Sequence, residues 1–476
     1  MTALKENVGV ADRSSESAAK MMKRESFEHT SVLAIILLVF VASVNIFSAH
    51  RGPLSRLPSL QEQRDSNLRS FVLSDRKAVP MKDIIIEEGK DRFGYGENES
   101  NNSKQRFIDI LSGVGEHLDD EVIANLPTWR EVKDLYGSKP VIVGLDTCED
   151  YKNDPNISPA NRSLAIVGLM NTGTHMLSRI LKESCRMPDR EFHEPFGSAS
   201  DLNASNDETH DHDNDEDTDT KEALKYLKEH KNDLESGIFF EVPWNKHAPE
   251  SFRLHNKNYK GRKKVVDNKH ILPIVVVKDP YHWFHSMCRN HYIVRWPGWN
   301  KNIKHCPLLV PNGADYENEE LTKVLPRDGK AAPIQIFRKE EETEKYDSFV
   351  HYWNEWNGAY LKAGTNYPRL IIRYEDLLVH LEETVTQICK CAGGEVITDK
   401  IQHLKDTAKP GHKHKSQKGL AGSIMRYLRD EKRTHPGGEM FMTFDDLQYA
   451  KNGLDPDLMK SFHYTHPERT RQNMSF

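Results

Sequence analysis

Two segments about a hundred residues apart constrain this chain more than anything else in it. The first runs from Ser163 to Leu177, SLAIVGLMNTGTHML. An apolar run, a glycine turn and then a helical face at Leu177, Ile180 and Leu181 predict strand, loop and helix N-terminus. Unpaired amides and the helix dipole make such a junction a cradle for anions. Gly168 and Gly173 keep the G-x-x-x-x-G spacing of a phosphate loop, but Thr174-His175 stands where Lys-Ser/Thr would follow. Hydrolysis of ATP or GTP needs that lysine on the phosphates and a hydroxyl on magnesium, so an ordinary nucleotide hydrolase or P-loop kinase is disfavoured. The second segment, Ile274 to Ser286, is an apolar strand ending in Lys278-Asp279-Pro280, with Ser286 eight residues beyond the lysine. Together the two suggest one nucleotide held at two phosphate positions.

Short apolar runs at 164–168, 238–242, 272–277 and 369–373 alternate with helical patterns. That alternation predicts an α/β fold with a central parallel sheet covered by helices on both faces. Upstream, 106–118 and 129–136 read as helices and 140–145 as a strand, so the folded domain is expected to span 104–476. Phe349, Trp353, Trp356 and Tyr360 fall on one helix face, which core packing explains. Residues 198–220 form an acidic, Asn- and Asp-rich loop insertion. Nine acids without a Lys or Arg lie in 201–220, and the remainder of the chain is therefore net positive although the whole carries −6. Its DxD-like triplets arise from composition alone, and no metal site is expected.

The apolar run 31–49 has no charged residue and is long enough to span a bilayer core. About thirty residues precede it, which does not fit a cleaved signal peptide. It predicts a single membrane anchor, with 1–30 as a cytosolic tail and 50–103 as a polar stem. Basic residues flank it on both sides and leave its orientation open. Six Asn-x-Ser sequons, at Asn98, Asn101, Asn156, Asn161, Asn203 and Asn473, all follow it and favour a lumenal C-terminal part. Six cysteines suit an oxidising compartment. A Cys288–Cys306 bridge is expected across an aromatic loop, Cys148–Cys185 is a further pairing, and Cys389 and Cys391 are too close to pair with each other.

Beyond these readings, the ordered set of motifs resembles the sulfotransferases that use 3′-phosphoadenosine-5′-phosphosulfate, especially the membrane-anchored Golgi class. Lys278-Asp279-Pro280 with Ser286 is similar to the family's Arg-Asp-Pro strand end and its serine. Leu370 to Leu378, containing Tyr374-Glu375-Asp376-Leu377, looks like the strand ending in Tyr-Glu-Asp-Leu. Gln417-Lys418-Gly419 resembles the late Arg-Lys-Gly loop, and Leu454–Met459 with Phe462–Tyr464 the C-terminal helix. The resemblance covers roughly 160–470 and implies a P-loop-like three-layer sandwich. It implies transfer of a sulfuryl group to a hydroxyl or amine of a glycan or glycoprotein, in the Golgi lumen, with no metal and no nucleic-acid partner.

Residue by residue, the resemblance puts Asn171, Thr172, Gly173, Thr174 and His175 on the 5′-phosphosulfate. It puts Lys278 and Ser286 on the 3′-phosphate, and Lys418 and Gly419 over the nucleotide. Glu194, in Glu191-Phe-His-Glu-Pro-Phe196, is the favoured base, with His193 beside it and Glu241 as a third candidate. Asn171 stands where the family carries Lys or Arg, and His175 or Lys246 is a candidate to supply that charge. Lys278 replaces Arg, which keeps the charge and loses the bidentate fork. Gln417 likewise replaces Arg. A catalytically inactive nucleotide-binding relative and a type II glycosyltransferase remain as alternative readings.

Overall fold

The computed structural model describes residues 103–188, 228–255, 266–297, 305–317, 319–326, 329–337, 343–363, 366–406, 419–435 and 441–468. The expected tail, anchor and stem up to residue 102 and the acidic insertion at 198–220 lie outside the described residues. Among the described residues no helix is long and apolar enough to cross a membrane.

Five strands form the central sheet: β1 (Ile142–Val143), β2 (Ser163–Gly168), β3 (Ile238–Phe239), β4 (Ile271–Val277) and β5 (Leu370–Arg373). Their order is β1-β5-β4-β2-β3. All neighbours are parallel except the edge pair β1–β5. The fold is therefore α/β with a mostly parallel sheet. β2 and β4 are buried along their whole length, as near-continuous apolar runs inside a parallel sheet must be. Their register aligns Gly168 with Val276, so the phosphate-loop turn and the Lys278 turn leave the sheet side by side. β3 is shorter than the apolar run 238–242, yet the Val242 amide still donates to Ile166 O (3.2 Å), continuing the pairing.

Seven of the described helices bear on the sheet and its turns: α1 (Gln105–Gly113), α2 (Trp129–Tyr136), α3 (Thr174–Ser184), α4 (Pro280–Arg289), α5 (Phe349–Lys362), α6 (Leu381–Cys391) and α7 (Gly419–Tyr427). α1 stops short of the expected residue 118, and Gly115 follows in the left-handed region (φ +67°) that ends a helix readily. α2 matches its expected span and is closed by a Thr128/Glu131 capping box. α3 packs on β2 and α6, while α4 packs on α5, an arrangement compatible with three layers. Phe349, Trp353, Trp356 and Tyr360 are buried on α5. One continuous core extends from Phe107 to Tyr464.

All six cysteines are paired. Cys288–Cys306 is formed as expected, but Cys148–Cys185 is not: Cys148 joins Cys391 and Cys185 joins Cys389. The reason is tertiary. Val396 pairs with Cys185 in a short antiparallel ladder, which brings the end of α6 to Cys185. Helix Cys148–Asn153 packs against α6 from elsewhere. Residues two apart on a helix point in different directions, so Cys389 and Cys391 reach different partners.

A second tie holds the C-terminal part. His305 is buried between two carboxylates, with Nδ1 2.7 Å from Asp315 and Nε2 2.5 Å from Asp446. Asp446 also accepts from the amides of Leu309, Val310 and Thr443. Burial alone would depress the imidazole, but hydrogen bonds to Asp315 and Asp446 and their charge raise it to about 9. A group raised in the folded state stabilises fully below its unfolded value and ceases to as pH rises through the folded one. Accordingly, His305→Gln should cost about 3 kcal/mol or more near neutral pH by leaving the carboxylates uncompensated. The gap from wild type should be full below about pH 6.5 and shrink from there until pH passes about 9, where wild-type His305 loses its proton. Urea unfolding across that range checks it, and a gap that widens with pH would refute the charged-imidazole assignment.

Candidate functional site

The loop between β2 and α3 is shaped by close approaches. A Cβ on Gly168 would lie 2.5 Å from Thr172 Oγ1 and 2.8 Å from Val276 O. Thr172 closes the turn, its amide and hydroxyl both donating to Leu169 O (3.3 and 2.8 Å). Asn171 and Gly173 have positive φ (+66° and +85°), and a Cβ on Gly173 would meet the Tyr374 ring at 2.3 Å. α3 then starts at Thr174 with no side-chain cap, so its first amides have no partner within the helix.

Lys278 follows β4, and its neighbours start α4: Asp279 is the N-cap, accepting from the Tyr281 amide (2.9 Å), and Pro280 is the first helical residue. Asp279 also pairs with Arg433 at 3.1 Å. The two segments meet at Lys278, whose ammonium donates to Asn171 O (3.3 Å) and Ser286 Oγ (3.2 Å). It also sits 3.4 Å from the ring centroid of Tyr427 and 4.4 Å from that of Tyr374. Lys278 is only 2% exposed, and among the described residues it has no carboxylate within ion-pair distance. Burial depresses its ammonium, opposed by the fields of Tyr427 and Glu375. Glu375 is itself raised to about 7, by burial and then by Asp279. Its oxygens accept from the Asp279 amide (3.2 Å) and the Tyr464 hydroxyl (2.9 Å).

The Asn171 amide donates to Asn290 O (2.8 Å), Ser286 O (3.2 Å) and Met287 Sδ (3.2 Å). It caps the end of α4 rather than adding a donor to the loop. Trp283 Nε1 donates to Met170 O (2.7 Å) and Trp353 Nε1 to Lys278 O (3.2 Å), so these tryptophans pack the site from behind. Trp296 is buried as well.

Residues 240–247 cover the loop's other flank. The Gly168 amide donates to Lys246 O (2.9 Å), and His247 Nδ1 lies 2.6 Å from Gly168 O. Lys246 Nζ sits 3.7 Å from the Phe240 ring centroid, and the His175 ring meets the same phenyl edge-on at 5.3 Å. The structure thus brings His175 and Lys246 to one ring, with Glu241 next in sequence. Glu194, His193 and Lys418 lie outside the described residues. Gly419 begins α7, where a Cβ would crowd Glu116 and Lys405 O. The α7 residue that reaches Lys278 is Tyr427, at the far end of the helix.

Sequence reasoning missed Tyr427, Tyr374 and Arg289. Tyr427 Oη lies 3.4 Å from Ser286 Oγ and accepts from Arg289 Nη2 at 3.5 Å. Burial would raise this phenol, but Lys278, Arg289 and Arg426 together hold it well below its ordinary value. Arg289 was legible as the next turn of α4 beyond Ser286. No local signal marks Tyr427. Among the described residues no group of three or more His, Cys, Asp or Glu could hold a metal ion.

These residues set a glycine turn and the uncapped start of α3 beside a buried lysine at the carboxyl end of a mostly parallel sheet. Compared with known proteins, the chain matches no family model, no curated protein and no solved structure.

Gly173→Ala should destabilise the chain by about 2 kcal/mol or more, through the positive φ and the Tyr374 contact. The control Gly113→Ala, whose Cβ meets nothing within 4 Å, should stay within about 1 kcal/mol. Equal denaturation midpoints for the two variants would contradict the packing of Tyr374 on the loop.

Proposed function

We propose that this chain is a sulfotransferase with a P-loop-like fold that uses 3′-phosphoadenosine-5′-phosphosulfate. The observation that carries the reading is the buried Lys278 ammonium with no carboxylate in ion-pair range among the described residues, 3.2 Å from Ser286 and 3.3 Å from the phosphate loop. A charge buried in this way is costly unless a counter-charge arrives with the ligand. Lys278 and Ser286 hold the 3′-phosphate, and the loop amides around Thr172, Gly173 and Thr174 hold the 5′-phosphosulfate. Lys418 and Gly419 close over the nucleotide.

The acceptor oxygen attacks sulfur in line as the bond from sulfur to the bridging phosphate oxygen breaks. The acceptor proton passes to Glu194, with His193 and Glu241 as the other candidate bases. The leaving group is 3′-phosphoadenosine-5′-phosphate, and charge on its bridging oxygen is offset by Lys246 or His175. The acceptor is a glycan or glycoprotein, and the compartment is the Golgi lumen behind the single anchor at 31–49. One observation favours a second reading, a nucleotide-binding relative without transferase activity. The Asn171 amide is committed to the end of α4 and brings neither charge nor a free donor to the loop.

Donor-product binding tests the proposal. At a hundredfold excess over Kd, 3′-phosphoadenosine-5′-phosphate should stabilise the full chain by about 2.7 kcal/mol. ATP with magnesium should do far less, and equal shifts would remove the donor assignment. Lys278→Ala should weaken that binding at least about tenfold through loss of a charge-assisted contact. Transfer of labelled sulfate to an acceptor panel separates the two readings: binding without transfer selects the second.

A further inference from the structure

We propose that Arg289 is the second cation of the 3′-phosphate subsite, positioned by Tyr427, and that it makes the subsite select a terminal phosphate monoester. This rests on the nucleotide reading above. Lys278 offers one compact charge and no fork. Arg289 stands on the next turn of the same helix, three residues beyond Ser286. Among the described residues, its guanidinium's one hydrogen-bond partner is the Tyr427 hydroxyl, at 3.5 Å, and no carboxylate lies within ion-pair range of it. The same hydroxyl lies 3.4 Å from Ser286 Oγ, and the Tyr427 ring carries the Lys278 ammonium at 3.4 Å. One tyrosine therefore touches Lys278, Ser286 and Arg289 alike, and places the guanidinium and the serine hydroxyl on either side of one phenol oxygen.

The charges argue for the ligand's form. Two cations facing one subsite favour a monoester dianion over a diester or an unphosphorylated 3′-hydroxyl, which would bring them less negative charge. The carboxylate whose field Lys278 feels, Glu375, already accepts from the Asp279 amide and Tyr464 and does not approach Arg289 within ion-pair range. Tyr427 is fixed from its other end by Tyr136, whose hydroxyl donates to Tyr427 O at 3.1 Å. Arg289 thus replaces, from the helix, the fork that a strand-end arginine would have supplied.

Calorimetric titration of the full chain with 3′-phosphoadenosine-5′-phosphate and with adenosine 5′-phosphate tests this. Arg289→Gln should lower affinity for the bisphosphate at least about tenfold and leave adenosine 5′-phosphate within about twofold, collapsing the preference. Tyr427→Phe should lower the preference partway, because the ring contact with Lys278 survives while the Arg289 anchor is lost. A preference unchanged in Arg289→Gln, or equal losses for both nucleotides, overturns the assignment. Should that variant fail to fold, Arg289→Met, which keeps the bulk and removes the charge, decides on the same ratio: a several-fold loss confined to the bisphosphate supports the second cation, and an unchanged ratio refutes it. If the wild-type chain binds neither nucleotide, the failure lies with the function proposed above.

Discussion

The rest of the site is arranged around the burial of one ammonium. Lys278 gives up its water for a backbone carbonyl, a hydroxyl, two tyrosine faces and the field of a carboxylate whose oxygens are engaged elsewhere. Removing an ion from water costs several kcal/mol, and these neutral contacts recover part of that. A methionine there would fill similar space without the penalty, so stability alone does not explain the charge. Strongly perturbed groups of this kind concentrate where a ligand completes the electrostatics.

Tyr374 connects this cation to the loop. It follows β5 directly, its amide donates to Val277 O (2.8 Å), and its ring lies against both Gly173 and Lys278. The residues around it are tied down. Arg373 forms a buried pair with Asp376 (2.6 Å) and donates to Tyr136 O (2.8 Å), while Asp376 accepts from the Val141 amide (3.0 Å). The Tyr-Glu-Asp segment is therefore chiefly a brace. It fixes β5 against α2 and β1, and through Tyr374 it sets how closely the β2–α3 and β4–α4 turns approach. A helix that precedes the sheet in sequence thereby helps to hold the geometry of a loop that comes after it.

Much of this was legible in the residues because it is local. Fully apolar runs announced β2 and β4, the 0, 4, 7, 11 spacing announced the buried face of α5, and the eight-residue interval from Lys278 to Ser286 becomes a 3.2 Å contact. What escaped depends on chain reversal. The Cys148–Cys391 and Cys185–Cys389 bridges span more than two hundred residues, and spacing cannot rank such partners. The three-stranded sheet of Val294–Arg295, Ile334–Ile336 and Glu344–Tyr346 is built from segments too short to show a period. Tyr427 reaches the site from some 140 residues beyond Ser286, with nothing in its neighbourhood to mark it.

Asn171 is the clearest case of a residue whose meaning changed with three dimensions. Against the sulfotransferase resemblance it is a missing cation. In the fold it occupies a left-handed backbone position, which asparagine adopts at less cost than most residues. Its amide satisfies two carbonyls at the end of α4, the helix that carries Ser286 and Arg289. A lysine at 171 would bear the strain of the positive φ and leave those carbonyls without the amide. Asn171 thus couples the two turns directly, joining the β2–α3 loop to the end of α4. Under the proposed transfer reaction, any positive charge at the transferring group would therefore come from another element, and Lys246 and His175, which meet at Phe240 beside the loop, are the candidates for it.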